Sequence, residues 1–207
     1  MDHQVQNRGN LAVRTGRPRE FDVDQALDRA LRVFWRKGYE GTTLSDLTKA
    51  MGVNRPSLYA AFGSKEELFR KALDRYAEGP AAYLREALNE PTARAVAERL
   101  LSGTIDAVTD RRNPRGCLMV QGALACGEAA ESVRKELVSR RLAGEAAVRE
   151  RFERAKSDGD LPVDSHPADL ARYVVAVLQG IAVQAAGGAS RAELQRVAAL
   201  ALRAWRE

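Results

Sequence analysis

No stretch of this chain sustains the apolar–polar alternation of a half-buried strand. Apolar residues recur instead at spacings of three and four from Phe21 almost to the end. That period admits only helix packed on helix, so an all-α fold is expected. Leu27, Ala30, Leu31 and Phe34 mark one face of a first helix, with Asp22 placed to cap it and Gly38 to stop it. Thr43–Asp46 has the form of a capping box and opens a short second helix carrying Leu44, Leu47 and Met51, which ends at Gly52.

The next stretch, "NRPSLYAAFGSKEELF", asks for a helix of barely two turns. Asn54 caps it, Pro56 sits in its first turn, and Leu58 and Phe62 form its inner face. Gly63 breaks the chain, and Ser64 with Glu67 begins a fourth helix bearing Leu68, Leu73 and Tyr76. Gly79-Pro80 splits that helix from the residues up to Leu88. Further helices are expected from Pro91 to about Asp110, over 117–127, over 131–157, from Pro167 to Gly187, and after a Ser190–Glu193 cap. Leu194, Val197, Ala198, Ala201 and Trp205 share a face of the last.

The second and third helices, joined by "MGVN", describe a helix-turn-helix. Gly52 supplies the tight turn and Val53 an apolar plug. A helix that enters the major groove presents its leading residues outward and keeps a narrow waist. Ala60 and Ala61 fit that need, and Asn54, Arg55, Ser57 and Tyr59 supply polar groups at the leading end. Arg55 has the reach for a guanine edge and Tyr59 for a phosphate. Periodicity alone also allows an ordinary bundle with Arg55 and Tyr59 as solvated surface.

The segment "ALDRALRVFWRKGYEGTTLSDLTKAMGVNRPSLYAAFGSKEELF" resembles the DNA-binding domain of the tetracycline-repressor (TetR) family, over roughly the first third of the chain. The features that carry it are the aromatic before "KGYEGTT", the pair Thr42-Thr43, the Leu-Tyr-x-x-Phe core of "GVNRPSLYAAF", and "SKEEL". "DGDLPVDSHPADLARYVVAVLQG" is similar to the approach to that family's penultimate helix.

The resemblance implies three parts: a flexible basic arm over 1–19, a helix-turn-helix domain over 20–64, and a helical ligand-binding and dimerisation domain over 65–207. It implies DNA contacts from Thr43, Arg55, Ser57, Tyr59 and Lys65, with Thr42, Asn54 and Ala60 beside them. Leu44 stands where some relatives place a polar or basic contact. It also implies a small-molecule effector, unidentified, and pairing of two copies through the last two helices, whose apolar faces are wider than a monomer core requires. A two-fold protein would read a near-palindromic operator of double-stranded DNA.

Net charge is +5 with a pI near 9.5, which permits a nucleic-acid partner without demanding one. Part of the excess sits at the front, where Arg8, Arg14, Arg17 and Arg19 face Asp2 alone. Arginines flanking "GRP" suit a narrow minor groove; the alternative is a solvated tail. The first residues lack the apolar run of a signal peptide, and "YVVAVLQGIAVQAA" is interrupted by Gln179 and Gln184. A cytoplasmic protein with no membrane partner is expected.

His3 and His166 are the only histidines, acidic pairs such as Glu66-Glu67 fit solvated helix faces, and no Gly-rich phosphate loop occurs, so no metal, cofactor or catalytic residue is expected. Cys117 and Cys126 are too few for a disulfide scaffold. Cys117 follows a Pro-Gly loop, starts a helix and lies near Arg111, Arg112 and Arg115, a setting that favours a reactive thiol. A small buried apolar residue is the plainer reading. The alternative function is therefore a small cysteine-dependent enzyme or redox protein using Cys117, against which stands the lack of any nearby base. For the effector site the resemblance directs attention to Tyr83, Leu101, Ile105, Cys117, Met119, Gln121, Leu124 and Tyr173, each of which would serve equally as plain core.

Overall fold

Helix starts leave backbone N–H groups without partners, and in this chain short polar side chains take them up at the joints that matter most. The computed structural model describes residues 21–124, 130–203 and 205. Asp22 accepts from the N–H of Gln25 ahead of α1 (Val23–Lys37), and Asn54 from that of Ser57 ahead of α3 (Arg55–Phe62). Full capping boxes form at Thr43–Asp46 before α2 (Leu44–Met51) and at Ser64–Glu67 before α4 (Lys65–Glu78). Gly52 adopts φ +74° and ψ 29°, the left-handed turn that joins α2 to α3, with its N–H on the carbonyl of Thr48.

After Gly79-Pro80 the chain makes a single turn, α5 (Tyr83–Glu86), and a short 3-10 segment. Then come α6 (Ala93–Thr109), α7 (Leu118–Leu124), α8 (Glu131–Ser157), α9 (Pro167–Ala186) and α10 (Arg191–Leu202). The sixth helix starts two residues later than Pro91 suggested, because the Thr92 hydroxyl caps it by accepting from Ala95 N–H. The part of the expected 117–127 helix beyond Leu124 lies outside the described residues. Ser190 and Glu193 make the last capping box, and Trp205 falls just past the end of α10 rather than on it.

Two apolar cores result. The first gathers Ala30, Phe34 and Trp35 of α1, Leu47 of α2, Leu58 and Phe62 of α3, and Leu68, Phe69, Leu73 and Tyr76 of α4. Phe69 is its centre, edge-on to Phe34 at 4.9 Å and tilted against Tyr39 at 5.2 Å. Leu118 of α7 and Val133 and Leu137 of α8 close it from below, so the three-helix head and α4 are one packed unit. The second core is built by α6, α8, α9 and α10 around Leu100, Phe152, Ile181 and Leu194.

Helix α8 serves both cores: its start is buried in the first and its end, through Val148, Phe152 and Ala155, in the second. Near that end the guanidinium of Arg151, 9% exposed, donates to the carbonyls of Glu90 and Pro91 at 2.8 and 3.0 Å. It fixes the approach to α6. Among the described residues no helix is long and apolar enough to cross a membrane.

Because Phe69 is wholly enclosed and touches two rings, Phe69→Ala should lower stability by about 3–5 kcal/mol. The check is the urea midpoint by circular dichroism; a loss under about 1 kcal/mol would mean that the core collapses around the gap.

Candidate nucleic-acid interface and ligand cavity

Leu58 and Phe62 of α3, one turn apart, are 1% and 2% exposed and anchor it in the first core. Its other side faces out: Arg55, Tyr59 and Ala60 are exposed and Ser57 is half-buried. Ala60 carries nothing beyond Cβ, so the outer side stays slim, as a helix entering a groove about 12 Å wide requires. Among the described residues no carboxylate pairs with Arg55.

The neighbouring candidates divide. Thr43 is exposed at the start of α2, its hydroxyl donating to Asp46 at 2.9 Å and accepting from the Asp46 N–H at 3.1 Å. Lys37 donates to the same carboxylate at 2.6 Å; with Thr43 it holds the Asp46 carboxyl far below the usual carboxylate range, so the cap stays charged. Lys65, first in α4, lies 4.3 Å from the centre of the Tyr39 ring, and burial lowers its pKa against the opposing pull of Glu40. Thr42 differs from the sequence expectation. It is 1% exposed and its hydroxyl donates to the Gly38 carbonyl at 2.6 Å, so it builds the loop and offers no outward group. Arg14, Arg17 and Arg19 lie outside the described residues.

Behind the head, a cavity of about 340 Å³ opens between α4, α5, α6, α7, α8 and α9. Its wall is largely aliphatic, from Leu84, Leu88, Leu100, Val120, Val148 and Leu178. Of the residues named from sequence, Tyr83, Cys117 and Met119 line it. Leu101 and Ile105 are buried in the second core and border a separate surface groove between α6 and α10. The Gln121 amide lies against Gly116, and Tyr173 is 39% exposed with its hydroxyl donating to the Ala201 carbonyl at 3.4 Å. The side chain of Leu124 and all of Cys126 lie outside the described parts of the chain.

Sequence reasoning missed Arg141, Leu178 and Gln179. Gln179 had a signal, as the polar break in an apolar helix; Arg141 had none, since about half of α8 is charged.

Two phenols join this cavity to its surroundings. The Thr104 hydroxyl donates to the Leu100 carbonyl at 2.8 Å, so Tyr83 must donate to Thr104 across 3.0 Å. Gly103 makes room for the Tyr83 ring: a methyl at 103 would overlap it. Tyr76 donates to Cys117 Sγ at 3.3 Å. Burial is the main reason that both phenols titrate well above their ordinary range. Trp35 of α1 stands edge-on to Tyr76 at 4.8 Å and donates to the Gly116 carbonyl at 3.0 Å. Two of the three arginines expected around Cys117 are engaged elsewhere, Arg112 with Asp110 and Arg115 with the Ala189 carbonyl.

Comparison with known proteins agrees with this geometry. Residues 26–72 match the family described as bacterial regulatory proteins, tetR family, and residues 96–201 match the tetracyclin repressor-like C-terminal domain. The helix-turn-helix-type transcriptional repressor ComR of Escherichia coli strain K12 is 33% identical over 194 residues, covering 93% of this chain and 92% of its own. A cysteine mutant of the TetR family regulator CifR, solved with 26-base-pair double-strand operator DNA, superposes with a TM-score of 0.87 at 46% identity, covering 92% of this chain and 100% of that one. A TetR regulator from Rhodococcus sp. RHA1 is 44% identical with a TM-score of 0.62, over 88% and 98%. These relatives are transcriptional regulators, and the reading of the chain as a cysteine-dependent enzyme falls away. The chain belongs to the TetR family of bacterial regulatory proteins.

Proposed function

We propose that this protein is a cytoplasmic transcriptional repressor that holds a near-palindromic operator as a homodimer and releases it when a small molecule occupies the cavity. The observation that carries the reading is the shared position of α4. Its Tyr76 belongs at once to the core that seats α3 and to the cavity wall, and Trp35 ties α1 to the Gly116 loop beside it. An occupant that shifts Tyr76 or that loop therefore acts on the seat of the DNA-reading helix. Binding can shift the equilibrium only by its difference in affinity between the two arrangements.

On DNA, Arg55, Ser57 and Tyr59 of α3 act with Thr43 and Lys65, and Asn54 holds the leading turn in shape. Arg14, Arg17 and Arg19 extend the contact into the minor groove. Residues 20–64 are the reading head, and 65–207 bind the effector and the second copy. Val183 of α9 and Val197 and Leu200 of α10, 47%, 43% and 61% exposed, supply an apolar face for pairing.

The test is footprinting on the DNA upstream of the protein's own gene, with release challenged by a panel of metabolites. Two protected half-sites should appear, their centres about 34–36 Å apart or a multiple of that, and light scattering at micromolar concentration should give a dimer. A monomer, or a single unpaired half-site, would sink the two-fold reading. Arg55→Ala should weaken operator binding by about 1–3 kcal/mol with the circular dichroism spectrum unchanged. Equal affinity would remove Arg55 from the reading set.

A second route to release rests on Cys117, which is half-buried and lines the cavity. A quinone entering there would add across the thiol: Sγ bonds a ring carbon and the thiol proton goes to a quinone oxygen. The adduct fills the space below Tyr76. Treatment with p-benzoquinone should abolish the gel-shift of the parent and spare Cys117→Ser. Equal loss in both would show that the thiol is not the sensor.

A further inference from the structure

Resting on the reading of this cavity as the effector site, we propose that its occupant is an amphipathic monocarboxylate, an aliphatic acid whose carboxylate pairs with Arg141. The groups that the wall can still offer a guest are few. Both phenols have given away their protons, Tyr83 to Thr104 and Tyr76 to Cys117, and the Thr104 proton is held by the Leu100 carbonyl. These groups present only acceptor lone pairs to a guest.

Among the described residues, four charged side chains line the cavity: Arg85, Arg140, Arg141 and Glu145. Arg140 is neutralised by Asp74 and Glu136, both at 2.7 Å, and Glu145 by Arg172 at 3.2 Å. Arg85 is exposed. Of the four, only Arg141 combines a buried donor with no acceptor, for its Nε is shut off from the surface and meets no oxygen of the described residues.

A guanidinium N–H buried without an acceptor is a standing demand for one, and a carboxylate answers it with charge as well as lone pairs. The remaining wall is aliphatic, so the body of the ligand is apolar. With about 340 Å³ the cavity stands at the small end of ligand sites, which run from roughly 300 to 1,000 Å³. An amine would find neutral acceptors but also cations and no free carboxylate; a neutral alcohol would accept from the guanidinium without answering its charge.

The experiment is calorimetric titration of the full chain, without DNA, near neutral pH, using octanoate, octan-1-ol and octylamine, which share one tail. Octanoate should bind about tenfold more tightly than octan-1-ol, and octylamine most weakly. In Arg141→Met the advantage of the acid should vanish while octan-1-ol binds within about twofold of its parent value; Arg141→Lys should keep part of the advantage. Matching thermal midpoints of parent and variants would establish that the fold is intact. An alcohol as tight as the acid, an advantage that survives in Arg141→Met, or no binding of octanoate to the parent would each overturn the proposal. Because no DNA is present, those results leave the repressor reading standing, and a failed footprint leaves this one.

Discussion

An eight-residue helix has no stability of its own in water, so the direction in which α3 points depends on Leu58 and Phe62 staying in a core that other helices supply. That core is centred on Phe69, which belongs to α4. The dependence explains an otherwise odd economy of sequence. The helix that must face a partner carries two inner anchors and leaves Arg55 and Tyr59 outside, while Phe34, Trp35, Phe69 and Tyr76 of α1 and α4 fill the core behind it. Caps at Thr43, Asn54 and Ser64 then set where each short helix begins, and so where the outward residues lie.

Helix α8 extends the same logic over a longer distance. At 27 residues it spans about 40 Å, and it is buried in one core at its start and in the other at its end. The cavity lies along its middle, against Arg140, Arg141 and Gly144. A helix pinned at both ends leaves α5, a single turn, and the short α7 as the lighter parts of the cavity wall. Cys117 stands just ahead of α7, in contact with Tyr76 of the firmly packed α4.

Much of the fold was legible in the sequence, for a local reason: caps and breaks are decided within four residues. Thr43, Ser64 and Ser190 could be placed by their spacing to an acid three residues on, Asp22 and Asn54 by standing just ahead of a helix, and the structure has all five as caps. Burial between neighbours was not local. Thr42 and Thr43 are chemically the same, and only the turn of the loop sends one hydroxyl to the Gly38 carbonyl and leaves the other outside. The cavity was harder still. An apolar residue beside a void and one in a packed core give the same period, so Leu101 and Ile105 could not be told from Leu100 and Val120. Arg141 was hidden among the charges of α8, and its isolation emerges only once its neighbours are seen to be paired with one another.

The glycine at position 103 has a consequence of a different sort. The Tyr83 ring meets α6 where Gly103 has no side chain, and any side chain there would have to push the ring aside. The ring also lines the cavity, and its hydroxyl is tethered to Thr104 one residue along the same helix. One methyl group, added at a position that does not itself line the cavity, would therefore reshape the chamber by leverage. Related chains could in this way diverge in the size of molecule they admit while every residue that touches the guest stays the same.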